Sequence, residues 1–142
     1  PTLFVQRASF QTESINNSSQ TMNGHNGKKA QKVMIYWDYE NCPIPTRATS
    51  FGNVWNVLKR KIYNYLQYEV QIKAKIYTPV GKLHHKVKQQ MDICSALIID
   101  VPSRKPEAAD KTILVDLALD LYEWKGHNIC NAVVLITGDK DF

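Results

Sequence analysis

Aspartates follow two short apolar segments that are typical of buried parallel strands. Asp38 comes directly after residues 33–37, and Asp139 and Asp141 come shortly after residues 132–136. Because ligands of an open parallel sheet bind beyond the carboxyl ends of its strands, we expect these three carboxylates to meet at one edge. Mg²⁺ and Mn²⁺ prefer such oxygen ligands and leave coordination positions for water and phosphate oxygens. The pattern therefore predicts a Mg²⁺ or Mn²⁺ site that hydrolyses phosphodiester bonds with a metal-activated water.

Another aspartate, Asp110, lies near the start of a helical pattern that spans residues 108–125. At about 100° per residue, Asp110 falls between Leu114 and Leu117, in the middle of the apolar face. A carboxylate at that place costs several kcal/mol unless it is compensated. It caps the start of the helix, belongs to a fraying first turn, or points over the edge of the sheet toward Asp38 and Asp139. We favour the last of these because other acids are expected at that edge.

Two later acids of the same helical pattern, Asp116 and Asp120, fall on the flank of the apolar stripe. We expect Asp120 to be solvated. Asp116 lies about 9 Å further along the helix than Asp110, at a rise of ~1.5 Å per residue. It is open whether Asp116 is a metal ligand or a solvated residue.

Two uncharged polar residues accompany the strand-end acids. Asn41, three residues after Asp38, could orient that carboxylate or bind substrate, and the alternative is a turn residue before Pro43. Thr137 comes just before the second acidic turn and could hydrogen-bond to a metal-bound water or to a carboxylate. A purely structural role at the end of the strand is equally open for Thr137.

Two basic segments supply candidates for binding an anionic substrate. One spans residues 82–88 and contains Lys86, and the other contains Lys105. Lysines in such segments could bind phosphate groups along a nucleic acid, although a basic helix face is more often simply solvated. The chain has 18 Lys+Arg and 13 Asp+Glu, a net charge of +5, which permits an anionic partner without requiring one.

Alternating strand and helix patterns must position these residues. The strand patterns cover residues 33–37, 70–76, 96–99 and 132–136, and the helical patterns cover residues 53–68, 82–91 and 108–125. This alternation predicts an α/β fold, a three-layer α/β/α parallel sheet with right-handed crossovers. Residues 1–31 are dominated by Ser, Thr, Asn, Gln and Gly, which predicts a disordered polar tail and leaves residues 32–142 for the domain.

Composition bounds the class of protein further. With 44% hydrophobic and 22% charged residues, the chain is neither collagenous nor wholly disordered. No apolar run approaches the roughly 20 residues that span a bilayer, and no signal peptide is recognisable, so we expect no membrane insertion. The three cysteines are widely spaced and form no CxxC pair, which is typical of a reducing compartment. We therefore expect an intracellular protein, cytoplasmic in the first place, with a peroxisomal or nuclear location as alternatives.

Three motifs occur in an order that is characteristic of one family. They read YWDYENCPIP at residues 36–45, DKTILVD at residues 110–116 and TGDKDF at residues 137–142. Together they resemble the NYN domain family, a branch of the PIN-like nucleases with a Rossmannoid fold. The first motif is similar in particular to the limkain-b1-like branch of that family, which is linked to meiosis and mRNA stability.

The resemblance implies a metal-dependent endoribonuclease that cleaves single-stranded RNA with Mg²⁺ or Mn²⁺, in RNA processing or mRNA turnover. It implies a catalytic role for Asp38, Asp110, Asp139 and Asp141, and a metal-binding role for Asp116 beside the first three. The family fold continues past the last motif, so we expect the C-terminal part of the domain to be missing from this chain. A homo-oligomer or a larger multidomain context is left open.

Two other functions are compatible with these residues. One is a catalytically inactive RNA-binding module that retains the fold. The other is a haloacid-dehalogenase-like phosphatase, in which a strand-end aspartate is the nucleophile and a second aspartate two residues later is the acid/base. Position 40 is a glutamate, and no clear lysine motif precedes the Gly138-Asp139 turn, so we rank the phosphatase last.

Overall fold

The computed structural model describes residues 2–7, 32–45, 50–67, 70–102, 107–125 and 132–138. Within these residues, strands and helices alternate after the first strand. No helix among them is long and apolar enough to cross a membrane. The strands are β1 (Thr2–Arg7), β2 (Lys32–Asp38), β3 (Gln71–Thr78), β4 (Leu97–Asp100) and β5 (Ala132–Thr137), and the helices are α1 (Phe51–Leu66), α2 (His85–Ile93) and α3 (Ala108–Lys125).

One five-stranded sheet carries the fold, in the order β1-β5-β2-β3-β4. The strands β5, β2, β3 and β4 are parallel, as the alternation of patterns predicts. The central strand β2 is apolar from Val33 to Trp37, and helices cover both of its faces. The α/β architecture expected from the sequence is confirmed.

The strand β1 was not expected, and it corrects the prediction of a disordered tail for residues 2–7. It pairs antiparallel with β5, with Thr2 opposite Thr137 and Arg7 opposite Ala132. Because residues 1–31 are polar on average, their composition gave no indication of a strand. The short segment Leu3-Phe4-Val5 nevertheless contains aromatic and β-branched residues that favour one. This strand hydrogen-bonds to the edge of β5. The rest of the predicted tail, residues 8–31, lies outside the described residues.

Two hydrophobic cores lie on opposite faces of the sheet, because successive residues of a strand point to opposite sides. Val33, Ile35 and Trp37 belong to the core that α1 and α2 cover. Tyr36 and Tyr77 belong to the core that α3 covers. Asp38 has the same parity as Tyr36, so it lies on the α3 side of the sheet.

The orientation of α3 differs from the helical-wheel prediction. The wheel centres the buried face on Asp110, between Leu114 and Leu117. In the structure Ile113 and Trp124 are buried, whereas Leu114 is 54% exposed. The buried face is therefore turned by roughly 60° around the helix axis. The wheel failed because apolar residues lie almost all around α3, so their positions do not define one face.

Candidate active site

The last residue of β2, Asp38, has no exposed surface. The side-chain amide of Asn41 donates a hydrogen bond to its Oδ2 over 2.8 Å, and the backbone N–H of Asn41 donates to its Oδ1 over 3.2 Å. The backbone N–H of Cys42 donates to the carbonyl of Asp38 over 3.0 Å, which closes the turn. Asn41 therefore orients Asp38, which is one of the three roles that the sequence left open.

The other described strands bring Tyr77 and Thr137 to the same edge. Tyr77 of β3 is the partner of Asp38 in the parallel register, and Ile136 of β5 is the partner of Trp37. Thr137 follows Ile136, so it lies beside Asp38 and is 1% exposed. Neighbouring carboxyl ends thus place a buried hydroxyl next to the buried carboxylate.

Gly138 lies where the end of β5 approaches the turn after β2. A Cβ atom at this position would lie 2.4 Å from the backbone oxygen of Asn41, which is far inside van der Waals contact. Only glycine allows the two segments to come this close without a shift of the backbone. This close approach fixes β5 against the residue that orients Asp38.

We expect Gly138→Ala to lower the free energy of unfolding by about 1–3 kcal/mol, because the added methyl group overpacks a backbone contact. Urea denaturation measures the change. Gly81→Ala is the matched control, because nothing lies within 4 Å of a Cβ atom there. Equal unfolding midpoints for the two variants would show that the approach of Gly138 to Asn41 is not tight in solution.

The inner face of α3 binds the sheet through a polar cluster. Lys75 Nζ lies 2.6 Å from Oδ2 of Asp120 and 3.6 Å from Oδ2 of Asp116. The hydroxyl of Tyr77 donates to Asp116 over 2.8 Å, and the hydroxyl of Tyr36 donates to Asp120 over 2.5 Å. The expectation of a solvated Asp120 is wrong, because the rotated helix turns this acid toward the sheet.

These contacts give the direction of α3. Asp116 meets Tyr77, which pairs with the last residue of β2, whereas Asp120 meets Tyr36, two residues deeper in the sheet. The helix therefore runs antiparallel to the strands. Asp110 lies about 9 Å beyond Asp116 toward the carboxyl edge. Its Oδ1 atom is buried although the residue as a whole is partly exposed, so the first turn of α3 brings a second, partly buried carboxylate toward that edge.

The sequence did not predict that Lys75, Tyr36 and Tyr77 would belong to this cluster. A signal was present, because Lys75 and Tyr77 are two residues apart in a strand and so share a face. Asp116 and Asp120 are four residues apart in a helix and so share a face as well. Nothing in the sequence indicated that the two faces meet.

Burial raises the pKa of Tyr77 strongly, and its hydrogen bond to Asp116 raises that pKa further. In the unfolded chain the phenol ionises near its ordinary pKa of 10.0. The stabilisation that this group provides is therefore complete below pH 10 and is lost as the pH rises above it. We expect unfolding free energy to fall by up to about 1.4 kcal/mol per pH unit in this range.

Denaturant titrations between pH 9 and 11.5 check this expectation. Tyr77→Phe removes the ionising hydroxyl, so its stability should depend less on pH than that of the parent chain. Tyr65→Phe is the control, because Tyr65 is exposed and its removal should keep the parent's pH dependence. The same slope in Tyr77→Phe and the parent would contradict the role given to Tyr77.

The basic segment that contains Lys86 begins at the same edge of the sheet. It follows β3 through a 3₁₀ turn at Val80–Lys82 and continues into α2. Lys86 is exposed in the first turn of α2, where its backbone N–H donates to Nδ1 of His84 over 3.3 Å. Lys82 Nζ lies 3.6 Å from Oε1 of Glu40, which joins the segment to the turn after Asp38.

Three of the residues proposed from the sequence, Asp139, Asp141 and Lys105, lie outside the described residues. Within the described part, Asp38 lies at the carboxyl edge on the α3 side, and the first turn of α3 carries Asp110 toward that edge. Carboxylates are suitable ligands for Mg²⁺ and Mn²⁺. Asp38 keeps lone pairs for a cation beside its two hydrogen bonds, because an ionised carboxylate has about four acceptor positions. No group of three His, Cys, Asp or Glu residues in the described ranges forms a metal site by itself.

Comparison with known proteins agrees with this geometry. The model of the NYN domain family matches residues 32–142. No curated protein sequence gives a significant match. PIN-like nuclease domains typically use divalent metals, which is consistent with carboxylates at this edge. The match covers the whole parallel sheet with its three helices, and the chain therefore belongs to the NYN domain family of PIN-like domains, which is associated with nuclease function on RNA.

Proposed function

We propose that this NYN domain is a metal-dependent endoribonuclease that hydrolyses phosphodiester bonds of single-stranded RNA. The observation that carries the proposal is Asp38, a fully buried carboxylate at the end of the central strand that Asn41 holds in one orientation. Burying a charge is costly unless a cation or a strong partner compensates it. A bound Mg²⁺ or Mn²⁺ would compensate it.

The residues suited to hold that cation are Asp38 and Asp110, and we add Asp139 and Asp141 from the third motif. When bound, the metal would lower the pKa of a water molecule and stabilise the oxygens of the reacting phosphate. Asn41 keeps the carboxylate of Asp38 oriented toward the edge. Thr137 supplies a hydroxyl beside Asp38.

We propose that the RNA backbone passes along the basic segment that starts after β3. Lys86 is exposed there, and Lys105 belongs to the second basic segment. Lysines on a phosphate track release counterions when RNA binds, so the affinity should fall with added salt. Lys86→Met should then weaken RNA binding and reduce its salt dependence.

The biological setting is the broadest part of the proposal. From the resemblance of the first motif to the limkain-b1-like branch, we propose a role in RNA processing or mRNA turnover. Cys42 and Cys94, the described cysteines, are free thiols, as is usual in a reducing compartment. We propose that the protein acts inside the cell, in the cytoplasm first, with the peroxisome or the nucleus as alternatives.

Incubation of the purified full chain with end-labelled single-stranded RNA tests the proposal. We expect internal cleavage with Mn²⁺ and none with a chelator. RNA binding without cleavage under both conditions would overturn the nuclease and favour an inactive RNA-binding module. A phosphorylated aspartate on the protein would indicate the phosphatase instead. That enzyme needs an acid/base aspartate at position 40, where this chain has a glutamate that pairs with Lys82.

A further inference from the structure

Lys75 lies in the middle of a strand, under α3, where a lysine is unusual. Its side chain is 17% exposed, and its ammonium group contacts the carboxylates of Asp116 and Asp120. The same ammonium lies 5.8 Å from the centre of the Tyr36 ring. With the hydroxyls of Tyr36 and Tyr77, these three charged groups form a cluster that we call the lysine cluster.

The charges of the lysine cluster depend on one another. Partly buried ions need close partners of opposite sign, and removing one partner leaves the others uncompensated. Lys75 is the cation that the two carboxylates share. The Oδ2 atom of Asp116 additionally accepts the hydrogen bond from Tyr77. Asp116 therefore already has both a cation and a hydrogen-bond donor within the fold.

The position of the cluster relates it to the candidate active site. Asp116 is held at the level of Tyr77, the residue paired with Asp38, and Asp120 is held two residues deeper. Two anchoring points four residues apart fix both the rotation of α3 and its position along the strands. That position determines where Asp110, at the start of the same helix, reaches the edge.

We propose that Lys75 is the built-in cation of Asp116 and Asp120, and that Asp116 is a positioning residue instead of a metal ligand. Its function is to hold α3 so that Asp110 reaches the edge near Asp38. The positioning part rests on the proposed metal-dependent nuclease, whereas the charge compensation by Lys75 does not.

Mn²⁺ titration of the full chain, followed by electron paramagnetic resonance, tests the assignment of Asp116. In Asp116→Asn the amide oxygen still accepts from Tyr77, and we expect Mn²⁺ affinity to fall less than about tenfold. Asp110→Asn should weaken it more than about 100-fold. Equal losses in these two variants would identify Asp116 as a ligand and overturn the proposal.

The same titration tests the positioning role of Lys75. Lys75→Met removes the cation that anchors α3, and we expect Mn²⁺ affinity to fall about 10–100-fold in the folded variant. Lys111→Met is the matched control. This control removes an exposed lysine of α3 that lies next to Asp110. The ion-pair partner of Lys111 is the exposed Glu107. The positioning role would be contradicted if Lys75→Met bound Mn²⁺ as tightly as the parent chain, or if Lys111→Met lost as much Mn²⁺ affinity as Lys75→Met.

Unfolding without metal tests the charge compensation separately. We expect Lys75→Met to reduce the folding equilibrium constant by about 100-fold or more, because two carboxylates lose their cation. In the background Asp116→Asn/Asp120→Asn the same change should cost less than about tenfold, since no charge is left uncompensated. The same loss in both backgrounds would overturn this part.

The two experiments distinguish the proposals. If the parent chain binds no Mn²⁺, the proposed nuclease and the positioning of Asp110 for a metal both fail. The role of Lys75 as the cation of the cluster is then decided by the unfolding measurement alone.

Discussion

Asp38→Asn is expected to reduce Mn²⁺-dependent cleavage of single-stranded RNA by at least about 100-fold, the upper range for disturbing the surroundings of a metal. The substitution keeps the size of the side chain, and its new amide oxygen can accept one of the two hydrogen bonds from Asn41, whereas its new NH₂ group faces the other donor. It removes the negative charge that a cation needs at the end of β2. Because Asp38 has no exposed surface, removing its charge favours folding, whereas the loss of one hydrogen bond from Asn41 opposes it, so the free energy of unfolding should change by no more than about 1.5 kcal/mol.

Cleavage rates measured at saturating RNA, together with thermal unfolding, check both parts of this expectation. Asp92→Asn is the control, because Asp92 is an exposed acid of α2 and its loss changes the net charge equally. Cleavage in Asp38→Asn at the rate of Asp92→Asn would contradict the assignment of the site. A large loss of stability would instead show that Asp38 has a structural role.

Ile113→Ala is expected to lower the free energy of unfolding by about 2–5 kcal/mol, because it leaves a cavity between α3 and the sheet. Ile113 is fully buried, beside Ala109 and Trp124 of the same helix. Leu114→Ala removes a similar amount of apolar side chain one residue later, where 54% of the residue is exposed. Its effect should stay within about 0.5 kcal/mol.

Urea denaturation of the two variants, analysed with a common slope, measures the difference. The pair tests the rotation of α3 directly, because the helical wheel and the structure predict opposite rankings. A larger loss of unfolding free energy in Leu114→Ala than in Ile113→Ala would support the orientation of α3 given by the helical wheel. In that orientation Asp116 and Asp120 are turned away from the sheet. The lysine cluster would then not exist in solution.

Much of the sheet, together with the carboxyl edge that carries Asp38, was predictable from the sequence. A parallel strand that is buried on both faces leaves an unbroken apolar run, as in residues 33–37, and few other elements of that length do. An aspartate directly after such a run must lie at a carboxyl edge. The position of Asp38 therefore followed from local pattern alone, and its contact with Asn41 followed from a separation of three residues in a turn.

The strand β1 was not predictable from the average composition of its region. Six residues with Leu3-Phe4-Val5 at their centre lie within a long polar segment, and a strand of this length exists only through its partner. The partner, β5, is 125 residues or more away along the chain at every paired position. The composition of a short stretch of sequence carries no information about a pairing partner so far away along the chain.

The orientation of α3 and the lysine cluster could not be predicted from the sequence either. Asp110, Asp116 and Asp120 differ little in their local surroundings, because apolar residues border all three. What separates them is the sheet beneath the helix, where Lys75 and two tyrosine hydroxyls attract Asp116 and Asp120. The sequence contains these groups, but not the information that they face each other.

By itself, the sequence determined the strands and helices from β2 to β5, the edge of the sheet where Asp38 lies and the family to which the chain belongs. These features depend on short-range periodicity and on the order of motifs. Only the tertiary structure decided which acids of α3 pair with Lys75 and which one reaches the edge with Asp38. The physical reason is that a helix rotates toward the surface that best compensates its buried charges, and that surface comes from a distant strand.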